Sequence, residues 1–155
     1  MSKNISKVLL FLIIVMIAAA YPMNLNAFLS NTAEDFQFYY SSAYILVWLL
    51  FMFAGMKTKS KAFSNVYLIF WTLSVIYFSV YNFLLGSPVF MALYVTVPVF
   101  ILPIMGFDFV YSILQHALRF DFLYSSVTLP FLVISLIMLL AGIAARRRRR
   151  KKALS

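Results

Sequence analysis

Four stretches of this chain stay apolar for long enough to cross the hydrocarbon core of a bilayer, and that run length constrains the fold more than any other feature. A helix needs about 20 mostly apolar residues to span lipid, because its backbone N–H and C=O groups must be satisfied within the helix once water is gone. The stretches cover about 8–23, 39–56, 62–85 and 127–145, with Lys3 and Lys7 ahead of the first. Composition agrees: hydrophobic residues make up 65% of the chain and charged residues 11%, against roughly 45–50% and about 25% in an ordinary soluble domain. A soluble fold this small leaves about a third of its chain surface in water, so this many apolar side chains would form aggregating patches. The expected fold class is an all-α integral membrane protein, a polytopic helical bundle forming one transmembrane domain over residues 1–155.

The placement of charge predicts how such a bundle threads the membrane. Lysine and arginine near span ends stay on the cytoplasmic side. With the N-terminus inside, the second span returns to place Lys57, Lys59 and Lys61 inside, and the last span delivers the run Arg146, Arg147, Arg148, Arg149, Arg150, Lys151 and Lys152 to the same side. Of the thirteen basic residues only Arg119 then falls outside, together with all four acids, Glu34, Asp35, Asp108 and Asp121. An odd number of spans would strand either the arginine run or both other lysine groups outside. The expected location is thus a multi-pass position with both termini cytoplasmic. The first stretch, basic residues before an apolar core that ends in Ala18, Ala19 and Ala20, also fits a secretory signal. We expect it to be retained as an anchor.

Even parity leaves residues 88–124 to assign. Pro88 to Met105 is apolar but interrupted by Pro88, Pro98 and Pro103, which break the helical hydrogen-bond ladder and suit a segment shielded from lipid by protein. From Gly106 to Tyr124, Asp108, Ser112, Gln115, His116 and Arg119 recur at spacings of three and four, along one face of a helix. Apolar residues fill the rest, the pattern of a helix lying in the interface. Carrying those charges through the membrane would cost about 2.5–3.5 kcal/mol for each one at the midplane. The expectation is four transmembrane helices plus an outer-face re-entrant and amphipathic hairpin at 88–124, followed at 146–155 by a basic cytoplasmic tail; the alternative is six short transmembrane helices.

Chemistry-bearing residues are few. There is no cysteine and one histidine, so disulfides and thiolate catalysis are excluded, and a metal cage or carboxylate dyad would need nearly every acid to converge. No nucleophile elbow, zinc signature or phosphate loop occurs. We therefore expect no enzyme, no catalytic or metal site and no cofactor. The arginine-rich tail lacks the folded reader that a nucleic-acid module needs beside its charges, so it is read as a topological anchor that meets anionic lipid headgroups. Asn65, Thr72 and Ser79, seven residues apart with Asn82 beside them, form a stripe that either glues helices or lines a polar path. The Asp108, Gln115, His116 and Arg119 face is either wetted surface or a path. The four glycines, Gly55, Gly86, Gly106 and Gly142, are too far apart to form GxxxG. The 17 Phe and 10 Tyr gather near span ends, as at Phe36 to Tyr40, and read as interfacial belts.

In length and layout rather than in any motif, the chain resembles the small polytopic immunity proteins that protect bacteria from pore-forming toxins. That resemblance implies action by contact in a bacterial plasma membrane. Two functions are expected to compete: a non-catalytic membrane protein working by protein or lipid contact, as an accessory subunit, regulator or immunity-type factor, and a small oligomeric transporter or channel. The first implies a membrane-protein partner or a second copy, and a weaker third possibility is a lipid-modifying enzyme using His116 with Asp108 or Asp121.

Overall fold

The computed structural model describes residues 3–30, 35–58, 61–84, 97–107 and 129–154. Those residues are all-helical: α1 spans Lys3–Ser30, α2 Asp35–Lys57, α3 Lys61–Leu84, α4 the single turn Val97–Phe100, and α5 Leu129–Leu154, with a 3-10 turn at Leu102–Ile104. The first three are long and apolar enough to cross a membrane. α5 joins an apolar half, Leu129 to Ala145, to the arginine run.

Two helices outlast their apolar stretches, for different reasons. α1 passes through Pro22 and continues to Ser30. Proline removes one N–H from the ladder, but in lipid the other backbone groups have no partner outside the helix, so the ladder holds on both sides of the gap. α5 does not stop at Ala145, since Arg and Lys are good helix formers and their cations lie at the negative end of the helix dipole.

Neighbouring long helices run antiparallel. Residues 30 and 35 can lie at most about 18 Å apart, whereas α1 is about 42 Å long, so α2 must start beside the end of α1. Trp48 meets Tyr67 and Phe51 meets Phe63 between α2 and α3. Along α3 and α5 the pairs are Tyr67 with Met138 and Phe78 with Phe131, rising on one helix as they fall on the other. One end of the bundle therefore gathers Lys7, Lys57, Lys61 and the arginine run, and the other gathers Asp35.

The interior is aromatic. Trp48 stacks on Phe70 at 4.5 Å and meets Phe51, Tyr67 and Trp71 edge-on at 5.7 Å each. Offset-stacked and edge-to-face geometry is what ring quadrupoles favour. The outward surface carries aliphatic side chains such as Ile14, Leu46, Ile69, Ile76 and Ile137, all more than half exposed. Three long apolar helices with so apolar an outer surface belong to a membrane-embedded helical protein, for which lipid tails are the solvent.

Candidate functional site

Three places bring side chains together in a way that could serve function. The first lies at the Asp35 end, where residues 97–107 pack against α1 and α2. Phe100 stacks on Tyr77 at 4.8 Å and on Phe70 at 5.7 Å, which places it level with the Trp48 cluster deep in the bundle. From there the chain climbs: Ile101 to Gly106 are all buried, and Phe107 meets Phe38 edge-on at 5.8 Å.

Irregular backbone at this depth survives only if protein satisfies it, and polar groups of α1 and α2 do so. Asn24 Nδ2 donates to the Leu102 carbonyl at 2.6 Å. The Gly106 N–H donates to Ser41 Oγ at 3.0 Å. The Ile104 N–H reaches the Ile101 carbonyl at 3.0 Å, closing the 3-10 turn. Beside them the Tyr40 hydroxyl donates to the Met16 carbonyl, tying α2 to α1. Gly106 is required by approach rather than by dihedral angle, because a Cβ there would run into the Gln37 and Phe38 backbone.

The second place is the contact of α3 with α5. The Tyr67 hydroxyl donates to the Met138 carbonyl at 2.9 Å, the carbonyl that in a regular helix also accepts from the Gly142 amide. Gly142 permits this: a Cβ would come within 2.5 Å of the Tyr67 ring and 3.0 Å of Leu68 Cδ2. Above it the Trp71 indole N–H and the Ser135 hydroxyl are buried without a hydrogen-bond partner.

The third place is a cleft at the basic end, between α2, α3 and α5. Met52, Met56, Phe63, Ser64, Arg146 and Arg149 are among its lining residues. Arg146 and Arg149 turn toward it and are half-buried, while Arg147 and Arg148 between them are exposed.

The sequence-expected site residues distribute unevenly over these places. Asn65, Thr72 and Ser79 share the outward surface of α3 and are exposed; Ser79 Oγ donates within its own helix to the Val75 carbonyl at 2.8 Å. Among the described residues they therefore lie on the surface that α3 turns away from its neighbours. Asn82 lies in the last turns of α3. Asp108, Gln115, His116 and Arg119 lie outside the described residues. The arginine run is brought to the cleft through Arg146 and Arg149, and α5 remains helical through Arg150, Lys151 and Lys152. Asn24, Ser41 and the Tyr67 and Gly142 pair were not singled out by sequence. Asn24 and Ser41 had a signal, since each is a polar residue within or beside an apolar stretch, and such residues are commonly interhelical contacts.

Among the described residues no three of His, Cys, Asp and Glu gather in a group able to hold a metal ion. The polar groups brought together are amides, hydroxyls and guanidinium groups, suited to holding backbone and anions in place. No family profile, no curated protein and no solved structure matches the chain.

Proposed function

We propose that this chain is a four-pass membrane protein that acts by contact, holding a packed, non-helical segment at its outer end for a membrane-protein partner. The observation that carries the reading is the position of Gly106 beside Ser41 and Gln37, within about 9 Å of the start of α2 along its axis. A chain of six crossings would bring residue 106 to the end that holds Lys57 and Lys61. Its place at the Asp35 end supports a segment that enters the bundle as far as Phe100 and leaves on the side it came from. The fourth crossing in this reading is the apolar half of α5, at the short end of the range of about 17–25 residues that span a bilayer.

Orientation follows from the same bundle. The end with Lys7, Lys57, Lys61 and the arginines is the cytoplasmic one by the rule for basic residues, which leaves residues 97–107, Phe36 and Tyr39 at the outer face. Phe36 and Tyr39 are exposed there, and aromatic residues at headgroup level anchor such a face. α1 belongs to the mature bundle, since Asn24 and Met16 accept or make bonds that hold its neighbours. An accessory subunit, a regulator and an immunity-type factor all fit a protein of this kind. A transport path has less support, because the Asn65, Thr72 and Ser79 stripe faces away from the bundle and could line a passage only between copies.

The test combines two measurements. Purified protein in liposomes is expected to raise ion and solute flux no further than empty liposomes, and a photocrosslinking residue at Phe36 or Phe107 is expected to trap one discrete membrane partner in cells, where the same residue at Ile69 traps none. Flux above background, or adducts independent of position, would overturn the reading.

A further inference from the structure

We infer that the cleft between α2, α3 and α5 is a binding site for the phosphodiester headgroup of an anionic phospholipid, with Arg146 and Arg149 as its phosphate ligands. The inference rests on the four-pass reading for which leaflet supplies the lipid, and on nothing else in it. Seven consecutive basic residues would, as a mere charge signal, be equivalent. The helix makes them unequal. Arg146 and Arg149, three residues apart, fall on one face and line the cleft, where both are half-buried while Arg147 and Arg148 are exposed.

What surrounds the two guanidinium groups also selects an anion. The cleft is flanked by Phe63 and Ser64, which belong to the first turn of α3. The first-turn N–H groups of a helix have no intrahelical partner and carry partial positive charge, so a 24-residue helix opens toward the same space as the arginines. Asp35, the one acidic residue among the described residues, stands about 30 Å along α2 from Met56. Guanidinium forks match phosphate oxygens in geometry and tolerate partial desolvation better than ammonium.

The rest of the lining is apolar, with Met52 and Met56 on α2 and Phe63 on α3. Thioether chains adapt to irregular apolar shapes, which suits the first carbons of an acyl chain below the headgroup. A free phosphate would use the guanidinium groups but gain nothing from this apolar flank. The chemistry therefore commits to a lipid, at the leaflet where basic pockets between helices recognise anionic headgroups.

The experiment measures retention of fluorescent phosphatidylglycerol against phosphatidylcholine by the full-length protein in mixed nonionic micelles, with indole emission from Trp48 and Trp71 reporting the fold. The wild-type chain is expected to prefer phosphatidylglycerol at least tenfold. Arg146→Gln with Arg149→Gln is expected to lower that affinity about tenfold or more, and Arg147→Gln with Arg148→Gln, which removes the same charge, less than twofold. Equal losses for the two pairs, or none for either, overturn the site, as does displacement of the lipid by millimolar inorganic phosphate. Should the first pair disturb indole emission, Ser64→Leu decides, because it fills the cleft while leaving every arginine; undiminished phosphatidylglycerol binding then overturns the inference. Micelles have no sides, so failure here leaves the four-pass reading standing, and an error in sidedness leaves this result unchanged.

Discussion

Gly106→Ala is the perturbation with the largest consequence for so small a change. The new methyl would collide with the Gln37 and Phe38 backbone, and helix backbone cannot rotate away as a side chain can. Residues 101–107 must then lift off α2. Lifting breaks the bond from Gly106 to Ser41, which at interhelical values in membranes contributes about 0.6 kcal/mol on average and up to about 1.7. It also strains a packed region, at about 1–3 kcal/mol for an extra methylene in a filled core. The sum is about 1.6–4.7 kcal/mol, and 2 kcal/mol alone is roughly a thirtyfold change in the unfolding equilibrium. Ser41→Ala serves as the comparison, since it removes the bond without the collision and should cost about 0.6–1.7 kcal/mol. The assay is an SDS titration from mild detergent followed by tryptophan emission. The chain has two tryptophans, and both Trp48 and Trp71 are about 1% exposed, so the signal comes from the core. A Gly106→Ala midpoint equal to wild type, or cheaper than Ser41→Ala, would refute the close packing of this segment on α2.

Three further outcomes follow from the same contacts. Gly142→Ala should separate α3 from α5 around Tyr67 and destabilise by about 1–3 kcal/mol in the SDS titration, and Tyr67→Phe, which removes only the hydroxyl bound to Met138, by no more than about 1.7. Asn24→Leu deletes the bond to Leu102 but also the buried, unpartnered Oδ1. Its net cost should therefore fall below that of Asn24→Ala, which adds a cavity, as compared in one titration series. The intact mass of protein extracted from membranes should include α1, and a mass lacking the residues up to Ala20 would show that the bundle functions without it.

Sequence exposed the helices readily and their interior hardly at all. Runs of 20 apolar residues are visible to hydropathy, so the three candidate spans overlap the first three apolar stretches, while α1 runs past the expected end at residue 23 to Ser30 and α5 runs on beyond Ala145. Hydropathy is blind to which side of such a helix faces inward, because lipid and protein interior are about equally apolar. The missed signal is in ring content. On α3, Tyr67, Trp71, Ser74, Phe78 and Tyr81 are buried and recur at spacings of four and three, while Val66, Ile69, Leu73, Ile76 and Val80 are exposed with the same period. Asn65, Thr72 and Ser79 travel with the aliphatic side, which explains why the polar stripe is exposed among the described residues. The aromatic count was read as belts, whereas among the described residues Trp48 and its neighbours place a ring cluster in the core. Gly106 and Gly142 were legible only as the absence of GxxxG; their role is set by approaches between residues far apart in sequence. The basic run was plain as charge, and only the α5 helix distinguishes Arg146 and Arg149 from the residues between them.

The claim on which the rest depends is that residue 106 and the arginine run lie on opposite sides of the membrane. With no native cysteine, single substitutions Asp35→Cys, Asp108→Cys, Ser60→Cys and Ser155→Cys can be probed in intact cells with an impermeant maleimide. Asp35→Cys and Asp108→Cys should label at once, and Ser60→Cys and Ser155→Cys only after permeabilisation. Labelling of Asp108→Cys and Ser155→Cys from the same side would contradict the account.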